Sequence, residues 1–375
     1  EAKRRLQQVA VRLATVSVTD EVVPRLEELL ANAINRDKSI SIEMLSHIQL
    51  IQEIARLSNN GALSLFIAPL DYVSLDFADI EGLSTVNLEK RREQSLTILK
   101  KMVSAIIDND ELEAVRQVDA YVRLLETFLK SRGVQSNQKS KIHPQWFDSG
   151  HSKYAQGLIY QIKQDIDDAG LEVGERLGSE AELIKKYGVS RSIFREASRI
   201  LELIGVSQNR KGRGGGLIVS KADPTNTIEA ATLFLKQAKL PWNELYEARL
   251  LIDTFAVELA AKRATKKQVE ELEEGLKLES EAETIEAFLS ASAKLHSAIC
   301  HAGGNRVISL YTDILTNHFI FQPLQKRQRK IIFDNKTQIV RNHTRIIRDI
   351  KNKDAKSASR QMRDHRAQIV TYIGA

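Results

Sequence analysis

The sequence has few of the residues that build disulfide-rich, loop-rich or membrane-spanning proteins. Its 375 residues include a single cysteine, Cys300, which excludes an internal disulfide framework and predicts a reducing cytoplasmic location. Only six prolines and 18 glycines interrupt the chain, which favours a helix-rich protein. No apolar run approaches the length of a membrane span and no signal peptide is visible, so we expect no membrane partner.

The bulk composition is that of an ordinary globular protein. The length allows two or three domains, each with its own core. Hydrophobic residues make up 42% of the chain, which is typical of soluble proteins. The net charge of +6 mildly favours a polyanionic partner, although a charge of this size does not identify one.

The most informative stretch runs from Gly174 to Val219. Ser179 is placed to cap a short helix, Gly188 to form a tight turn, and Ser190 to cap a second helix. Apolar residues of the second helix recur at spacings of three and four, which predicts a core-facing side. These residues are Ile193, Phe194, Ala197, Ile200, Leu201 and Ile204.

Two short segments after Gly205, residues 206–209 and 217–219, predict a hairpin with a basic, glycine-rich tip. Helix, tight turn, helix and hairpin form the plan of a winged helix-turn-helix that reads a DNA groove. A phosphate-binding loop at residues 212–216 is the alternative. It is disfavoured because no helix begins there to hold an anion.

This stretch resembles the DNA-binding domain of GntR-family transcription regulators. The matching pieces are GERLGSE, EL, GVSR, FREA, RILE and the GRGGG wing ending in IV, and the resemblance covers Tyr154 to Val219. It implies that Arg191, Ser192 and Arg195 contact DNA and that the wing around Gly214 enters the minor groove. The full set of candidate DNA-binding residues is Arg191, Ser192, Arg195, Arg199, Lys211, Arg213 and Gly214.

Two positions depart from the family pattern. Gly178 stands where the family usually has proline, and Ala181 stands where it usually has a basic residue. The second departure removes one expected DNA contact and leaves the sequence preference open. Exposed arginines are most often a solvated helix face, but here cap, turn, apolar stripe and wing agree with one another.

Helical patterns predominate on both sides of this stretch. We therefore predict a mainly α fold in which two all-helical bundles flank the winged helix-turn-helix domain. The predicted parts are a helical domain at 1–131, a polar linker without periodicity at 132–152, the winged helix at 153–221 and a second helical domain at 222–375.

The two helical domains resemble each other. Three pairs of segments match at offsets of 246, 245 and 243 residues: 1–14 with 247–260, 51–66 with 296–311, and 106–115 with 349–358. Chance similarity of amphipathic helices is the alternative. The shared Asn60 and Asn305 in matching loops favour a duplicated domain.

Four polar residues of the second helical domain occupy positions where helical spacing calls for apolar ones: Asp253, His296, His343 and His365. A buried carboxylate is costly unless it is paired or bound to a metal. Taken singly, each histidine is more often a satisfied core residue. Together, nitrogen and oxygen donors from four helices suit a divalent ion such as zinc, nickel, manganese or iron.

The second helical domain also resembles the ligand-binding domain of the FadR-like branch of the GntR family, over residues 225–375. In many members of this branch an aspartate and three histidines hold a metal beneath an effector cavity, and the four residues named above match those positions. The resemblance implies a bundle of six or seven helices. His301 and His318 do not match, and we interpret His301 as a helix-end residue.

Arg249 lies one turn before Asp253 and is the candidate effector-binding residue. A metal with open coordination positions attracts carboxylate oxygens, and a guanidinium beside it adds a charge-assisted bond. The alternative role of Arg249 is a surface or interdomain salt bridge. We expect the effector to be a small carboxylate.

The first helical domain departs from the ligand pattern at all four positions. The aligned residues are Gln7, Ile51, Lys100 and Val122, of which Lys100 is expected to repel a cation. We therefore predict that this domain is a degenerate copy without a metal, acting as a scaffold or dimerisation element.

These patterns predict a metabolite-responsive transcription regulator, most plainly a repressor, that binds a double-stranded, palindromic operator as a homodimer. One alternative is a metal-dependent hydrolase fused to a DNA-binding domain, although no HExxH helix or glycine-rich nucleophile turn is present. Another is a constitutive DNA-binding protein with a structural metal. Because a duplicated unit would carry both parts, we also expect another winged helix to precede Glu1.

Overall fold

The fold is mainly α. A computed structural model describes residues 1–35, 40–76, 85–131, 153–203, 205–210, 212, 214–220, 224–321 and 325–373. These residues form seventeen helices and three short strands, so the predicted fold class is confirmed. Within these ranges, every helix is too short or too polar to cross a membrane.

The described amino-terminal residues form six helices, and all but the fourth contribute to one apolar core. They are α1 (Ala2–Ser17), α2 (Val23–Ala33), α3 (Ile40–Leu57), α4 (Gly61–Asp76), α5 (Thr85–Ile107) and α6 (Glu111–Ser131). Leu26, Leu50, Leu99 and Met102 are fully buried in this core. Such burial of leucine and methionine side chains provides the main stabilisation of a helical bundle, at about 1.5–3 kcal/mol for each side chain.

The winged helix follows as helices and strands in alternation. Its elements are α7 (Lys153–Asp168), β1 (Arg176–Gly178), α8 (Glu180–Tyr187), α9 (Arg191–Leu203), β2 (Ser207–Arg210) and β3 (Gly216–Val219). The predicted hairpin is confirmed, with Ser207 opposite Val219 and Arg210 opposite Gly216. The sequence did not predict β1, which pairs antiparallel with β3 and makes the strand order β1–β3–β2.

The carboxyl-terminal helices form the second bundle. They are α10 (Thr225–Ala238), α11 (Trp242–Arg263), α12 (Lys266–Glu281), α13 (Ile285–Ala302), α14 (Arg306–Phe321), α15 (Lys326–Asp334), α16 (Lys336–Lys351) and α17 (Ala355–Ile373). Thr265 and Gln268 form a capping box at the start of α12, and Thr284 caps α13. The core of this bundle is lined by aliphatic residues of α11, α13, α16 and α17.

The chain divides into two compact units. One contains Glu1–Leu6, Asn59–Phe66 and Ile228–Ala375, and the other contains Gln7–Ser58 and Ile67–Thr227. Within the first unit, the Tyr311 hydroxyl donates to the Phe66 carbonyl at 2.6 Å. The predicted linker, 132–152, lies outside the described residues.

One loop conformation occurs in both helical bundles. Asn59 has φ of 49° and precedes Asn60, whose side-chain oxygen accepts from an amide at the start of α4. Gly304 has φ of 63° and precedes Asn305, whose side-chain oxygen accepts from amides at the start of α14. The two loops therefore reverse the chain and cap the next helix in the same way.

A second loop conformation also recurs, ahead of the last helix of each bundle. Asn109 (φ 55°) and Lys353 (φ 58°) both adopt the left-handed conformation. Each is followed by an aspartate, Asp110 or Asp354, whose carboxylate accepts from a backbone amide three residues later. A left-handed residue that is not glycine is uncommon, so its recurrence at matching places is informative.

Candidate functional site

Local hydrogen bonds define both helices of the helix-turn-helix. Ser179 Oγ accepts from the Glu182 amide at 3.2 Å, and the Glu182 carboxylate accepts from the Ser179 amide at 2.7 Å. Gly188 ends α8 in the left-handed conformation, with φ of 63°. Ser190 Oγ then accepts from the Ile193 amide at 3.3 Å at the start of α9. The predicted caps and turn are confirmed.

The second helix of the motif has two distinct sides. Phe194, Ala197 and Leu201 are buried in the winged-helix core, as their spacing predicts. The candidate DNA-contacting residues of this helix are all exposed: Arg191, Ser192, Arg195 and Arg199. Ile204, which was predicted to continue the apolar side, lies outside the described residues. The exposed side of α9 therefore presents three guanidinium groups to solvent.

Two of these arginines share one carboxylate. Oε1 of Glu180 lies 3.0 Å from Nε of Arg195 and 3.3 Å from Nε of Arg191. The arginine side chains are 61% and 71% exposed, respectively. Exposed ion pairs of this kind contribute about 0.2–1 kcal/mol, so the arginines can exchange Glu180 for a phosphate or a base edge at little cost.

The wing is a tight glycine turn between β2 and β3. The Gly215 amide donates to the Gly212 carbonyl at 2.9 Å, and Gly214 has φ of 80°. A side chain would strain the backbone at that φ. Arg176 Nε donates to the Gly215 carbonyl at 2.8 Å, a contact that the sequence did not predict. Lys211 and Arg213, the predicted basic residues of the wing, lie outside the described residues.

Three buried histidines meet inside the carboxyl-terminal bundle. His296 lies on α13, His343 on α16 and His365 on α17. Nε2 of His296 and Nε2 of His365 each lie 3.1 Å from Nε2 of His343. Inward positions on three separate helices thus converge on one point, as the helical spacing predicts for each residue.

A fully buried carboxylate orients His343. Nδ1 of His343 lies 2.8 and 2.9 Å from the two carboxylate oxygens of Glu279, a residue of α12. Because an ionised carboxylate only accepts, this bond assigns the proton of His343 to Nδ1 and leaves Nε2 with a free lone pair. A carboxylate behind a histidine in this way is the usual arrangement at metal sites.

The sequence analysis missed Glu279, although a signal was present. Val269, Leu272 and Leu276 mark the core-facing side of α12, and Glu279 continues it three residues later. Val269 and Leu272 are buried and Leu276 is partly buried, and Glu279 lies at the same side of the helix with no exposed surface. The i, i+3 and i+4 spacing would have identified it as a fifth inward polar residue.

Asp253 does not join the histidine group. Among the described residues, the potential metal-binding atoms that all lie within 4.8 Å of one another come from His296, His343 and His365. Asp253 instead forms an ion pair with Arg366 of α17, and its Oδ2 lies 3.4 Å from Nε of Arg249. Its Oδ1 is buried and has no hydrogen-bond partner among the described residues. The structure therefore brings together three of the four predicted ligands.

Burial favours the neutral forms of His296 and His365. It lowers the pKa of His296 well below the ordinary value, and the Arg366 guanidinium adds to the effect. Burial likewise lowers the pKa of His365, followed in size by the influence of His343. Neutral imidazoles have the lone pairs that a metal ion requires.

The three histidines fit a divalent metal ion. Nitrogens bound to one ion at about 2.1 Å lie roughly 3–3.5 Å apart, which agrees with the spacing of the three Nε2 atoms. Nδ1 of His365 and Oδ1 of Asp253 are further buried polar atoms without a hydrogen-bond partner in the described part of the chain. The chemistry of this donor set is that of zinc, nickel, manganese or iron(II) sites.

Arg249 is the other buried cation of this centre. It is 8% exposed and donates to Thr316 Oγ1 at 3.3 Å. Burial, with the neighbouring Arg366, lowers the pKa of Arg249 to about 10, so it stays charged at neutral pH. His301 lies in the last turn of α13, as predicted, 3.2 Å from Asp313.

The aligned positions of the first bundle hold other chemistry. Gln7, Ile51 and Val122 are buried, and Gln7 donates to Asp71 at 3.0 Å. The prediction that Lys100 repels a cation inside the bundle is wrong, because Lys100 is exposed. Its neighbour Leu99 is buried instead. At this point the sequence alignment is therefore displaced by one residue from the buried position of the helix.

Comparison with known proteins agrees with this geometry. A family model described as bacterial regulatory proteins, gntR family, matches residues 155–216, and a model described as FCD domain matches residues 244–368. The Uxu operon regulator of Haemophilus influenzae is 29% identical over 210 residues, which cover 54% of this chain and 76% of that protein. The Glc operon transcriptional activator of Escherichia coli is 29% identical over 223 residues, which cover 54% of this chain and 82% of that protein.

A solved structure, Streptococcus agalactiae GntR, aligns at 21% identity with a TM-score of 0.43, covering 59% of this chain and 100% of that one.

A winged helix-turn-helix joined to a helical bundle with a buried histidine centre defines a DNA-binding regulator. Residues 155–216 match the gntR family of bacterial regulatory proteins, and residues 244–368 match the FCD domain. The two relatives named above are transcription regulators, as was expected for this chain.

Proposed function

We propose that this regulator is a repressor whose affinity for its operator is controlled by a small carboxylate bound beside a divalent metal ion in the FCD domain. The effector shifts the equilibrium between arrangements of the DNA-binding domains only as far as it prefers one of them. The regulator binds a palindromic operator as a homodimer, because a two-fold pair of reading helices matches two half-sites.

One observation carries the effector part of this proposal. Three imidazoles meet in a buried centre, with Nε2 of His296 and of His365 each 3.1 Å from Nε2 of His343, and the buried Arg249 guanidinium lies 3.4 Å from Asp253. His296, His343 and His365 would hold the metal. When bound, the metal supplies open coordination positions that attract carboxylate oxygens.

Arg249 has the properties of a carboxylate anchor. Its bonds to Asp253 and Thr316, at 3.4 and 3.3 Å, are longer than the 2.7–2.9 Å or so that is usual for charge-assisted bonds. Arg249 is a buried guanidinium close enough to lower the pKa of His296. A ligand carboxylate can supply two parallel bonds to it.

The DNA-binding part of the proposal rests on α9 and the wing. Arg191, Ser192, Arg195 and Arg199 lie along one exposed side of the reading helix, and the turn at Gly214 presents the wing. We propose that these residues, with Lys211 and Arg213, contact the operator. Arginine on such a helix reads guanine edges in the major groove, whereas arginine and lysine elsewhere contact phosphates.

The amino-terminal bundle is proposed to be a second FCD-like copy without the metal ligands. Asn59 and Gly304 share a left-handed conformation before capping asparagines, and Asn109 and Lys353 share one before capping aspartates. These pairs are 245 and 244 residues apart, in line with the sequence repeat. We accordingly propose four parts: the copy at 1–131, the linker at 132–152, the winged helix at 153–221 and the FCD domain at 222–375.

Fluorescence anisotropy of a labelled operator tests the effector mechanism. Metal-loaded and chelator-treated protein would be titrated in the presence of small mono- and dicarboxylates. We expect a carboxylate to change operator affinity in the metal-loaded protein, and Arg249→Gln to weaken that response. Arg345→Gln, an exposed substitution on α16, is the control.

If no carboxylate changes the operator affinity, with or without metal, the protein is a constitutive DNA-binding protein with a structural metal. If the operator affinity rises when the carboxylate binds, the effector promotes DNA binding instead of releasing the operator.

A further inference from the structure

Arg366 contacts both Asp253 and the histidine group of the carboxyl-terminal bundle. Its guanidinium forms an ion pair with Asp253, and its Nη2 lies 3.1 Å from Nδ1 of His296. The side chain is buried, and its Nε has no hydrogen-bond partner among the described residues. A positive charge therefore occupies the space between the one candidate carboxylate ligand and the histidines.

The contact with His296 has a direct consequence for metal binding. A guanidinium only donates hydrogen bonds, so Nδ1 of His296 accepts from Arg366 and the proton of the neutral imidazole is on Nε2. Nε2 is the nitrogen that faces His343 at 3.1 Å. Coordination through Nε2 requires the opposite tautomer, with the proton on Nδ1.

The hydrogen bonds of the centre are consistent with this tautomer. His343 carries its proton on Nδ1, towards Glu279, and its Nε2 is free to accept. The Nε2–H of His296 then donates to Nε2 of His343. Arg366, His296, His343 and Glu279 thus form one hydrogen-bonded chain in which every bond has a donor and an acceptor.

We propose that Arg366 is an internal cation that competes with the divalent metal for Asp253 and for the coordinating tautomer of His296. Coordination of a metal ion by Nε2 of His296 and the bond from Arg366 to Nδ1 exclude each other, since the single proton of the neutral imidazole must lie on Nδ1 when Nε2 coordinates. Metal uptake by His296 therefore requires Arg366 to leave Nδ1 of that histidine. The residue sets how tightly the FCD domain holds its metal.

This inference rests on the proposed metal site and adds to it a residue that lowers metal affinity. It differs from the role of Arg249, which lies on α11 and bonds to Asp253 and Thr316. The two arginines approach Asp253 from different helices. Arg366 bonds to both Asp253 and His296.

Isothermal titration with Zn²⁺ tests the proposal on the full chain after removal of metal by a chelator. The variants are Arg366→Leu, which removes the competing cation, and Arg366→Gln, which keeps a polar side chain if the leucine variant folds poorly. Arg363→Leu is the matched control, because Arg363 is exposed on the same helix and carries the same charge. We expect both Arg366 variants to bind Zn²⁺ about 10-fold or more tightly than the parent and the control.

Nitrogen NMR of histidine-labelled, metal-free protein is the second measurement. We expect one imidazole of the parent chain, assigned by comparison with His296→Gln, to carry its proton on Nε2 and to change tautomer or environment in Arg366→Gln.

The two measurements test whether Arg366 competes with the metal. Equal or weaker Zn²⁺ binding by both Arg366 variants, with normal binding by the parent, overturns the competition while leaving the metal site in place. A proton on Nδ1 of His296 in the metal-free parent also overturns it. Failure of the parent and of all variants to bind Zn²⁺ or any of Ni²⁺, Mn²⁺ and Fe²⁺ overturns the competition together with the metal site.

Discussion

Glu180, the first residue of α8, holds Arg195 of α9 through a bond of 3.0 Å between Oε1 and Nε. The carboxylate sits in the first turn of a helix, where the helix dipole favours it. Because Arg195 remains 61% exposed, the bond orients the guanidinium without burying it. The pair joins the two helices of the motif at the surface that is proposed to face DNA.

Arg195→Ala is expected to weaken specific operator binding by about 1–3 kcal/mol if the guanidinium reads a base edge. Affinity for unrelated DNA should change much less. The measurement is anisotropy with operator and scrambled duplexes at one salt concentration. Arg116→Ala, an exposed substitution on α6, removes the same charge and should leave both affinities unchanged. Equal losses on both duplexes would show that Arg195 contacts only the phosphate backbone.

Lys211→Ala in the wing is expected to weaken binding to operator and unrelated DNA alike. A lysine that neutralises one phosphate releases about one counterion, so the slope of log K against log salt should fall by about one unit. Titrations at four or more salt concentrations give this slope. An unchanged slope would remove Lys211 from the set of phosphate contacts.

Glu279→Gln is expected to lower metal affinity by about 10- to 100-fold, because Glu279 holds His343 in the tautomer whose Nε2 can coordinate. Zn²⁺ titration of the metal-free variant measures this. Glu274→Gln removes an exposed carboxylate from the same helix and serves as the control. If both variants match the parent, the Glu279 carboxylate does not support a metal ligand.

Purified chain is expected to hold about one divalent ion, since only the carboxyl-terminal bundle brings three histidines together among the described residues. His343→Ala should lose most of it, because His343 lies within 3.1 Å of both other histidines. Elemental analysis with protein quantitation gives the ratio. Two ions per chain would indicate a second site and contradict the proposal of a metal-free first copy.

His47 should make stability fall as the pH drops below about 6.5. Burial lowers the pKa of His47 in the folded chain, where its Nε2 lies 3.2 Å from the Ala33 carbonyl. Below the unfolded pKa the unfolded chain binds a proton that the folded chain does not, so the free energy of unfolding decreases. The loss continues until the pH reaches the folded pKa.

Denaturant unfolding between pH 7.5 and 5.0 measures this dependence. His47→Gln keeps a donor for the Ala33 carbonyl and should flatten the profile by up to about 1.4 kcal/mol per pH unit. Identical pH profiles for parent and variant would mean that His47 has the same pKa in both states. The pKa of His301 is raised by Asp313, so the contribution of His301 to the pH dependence of stability has the opposite sign. The variant His301→Gln provides the comparison.

The features that the sequence determined by itself are local ones. The ends of α8 and α9 are defined by contacts between residues no more than four positions apart. For this reason the capping roles of Ser179 and Ser190 and the left-handed turn at Gly188 were predicted correctly. The inward direction of His296, His343 and His365 follows from the helical period alone. The sequence also contained the signal for Glu279, which continues an apolar stripe.

Tertiary structure alone decided which of these side chains meet. Asp253 was predicted to join the histidines, but helix packing places the guanidinium of Arg366 against it, 113 residues away along the chain. Likewise, β1 consists of three residues whose pairing depends on β3, and Lys100, which aligns with His343, is exposed. The helical period determines the direction in which a side chain leaves the axis of its helix. The rotation and crossing of helices, which depend on the whole packed core, fix the partner that it reaches.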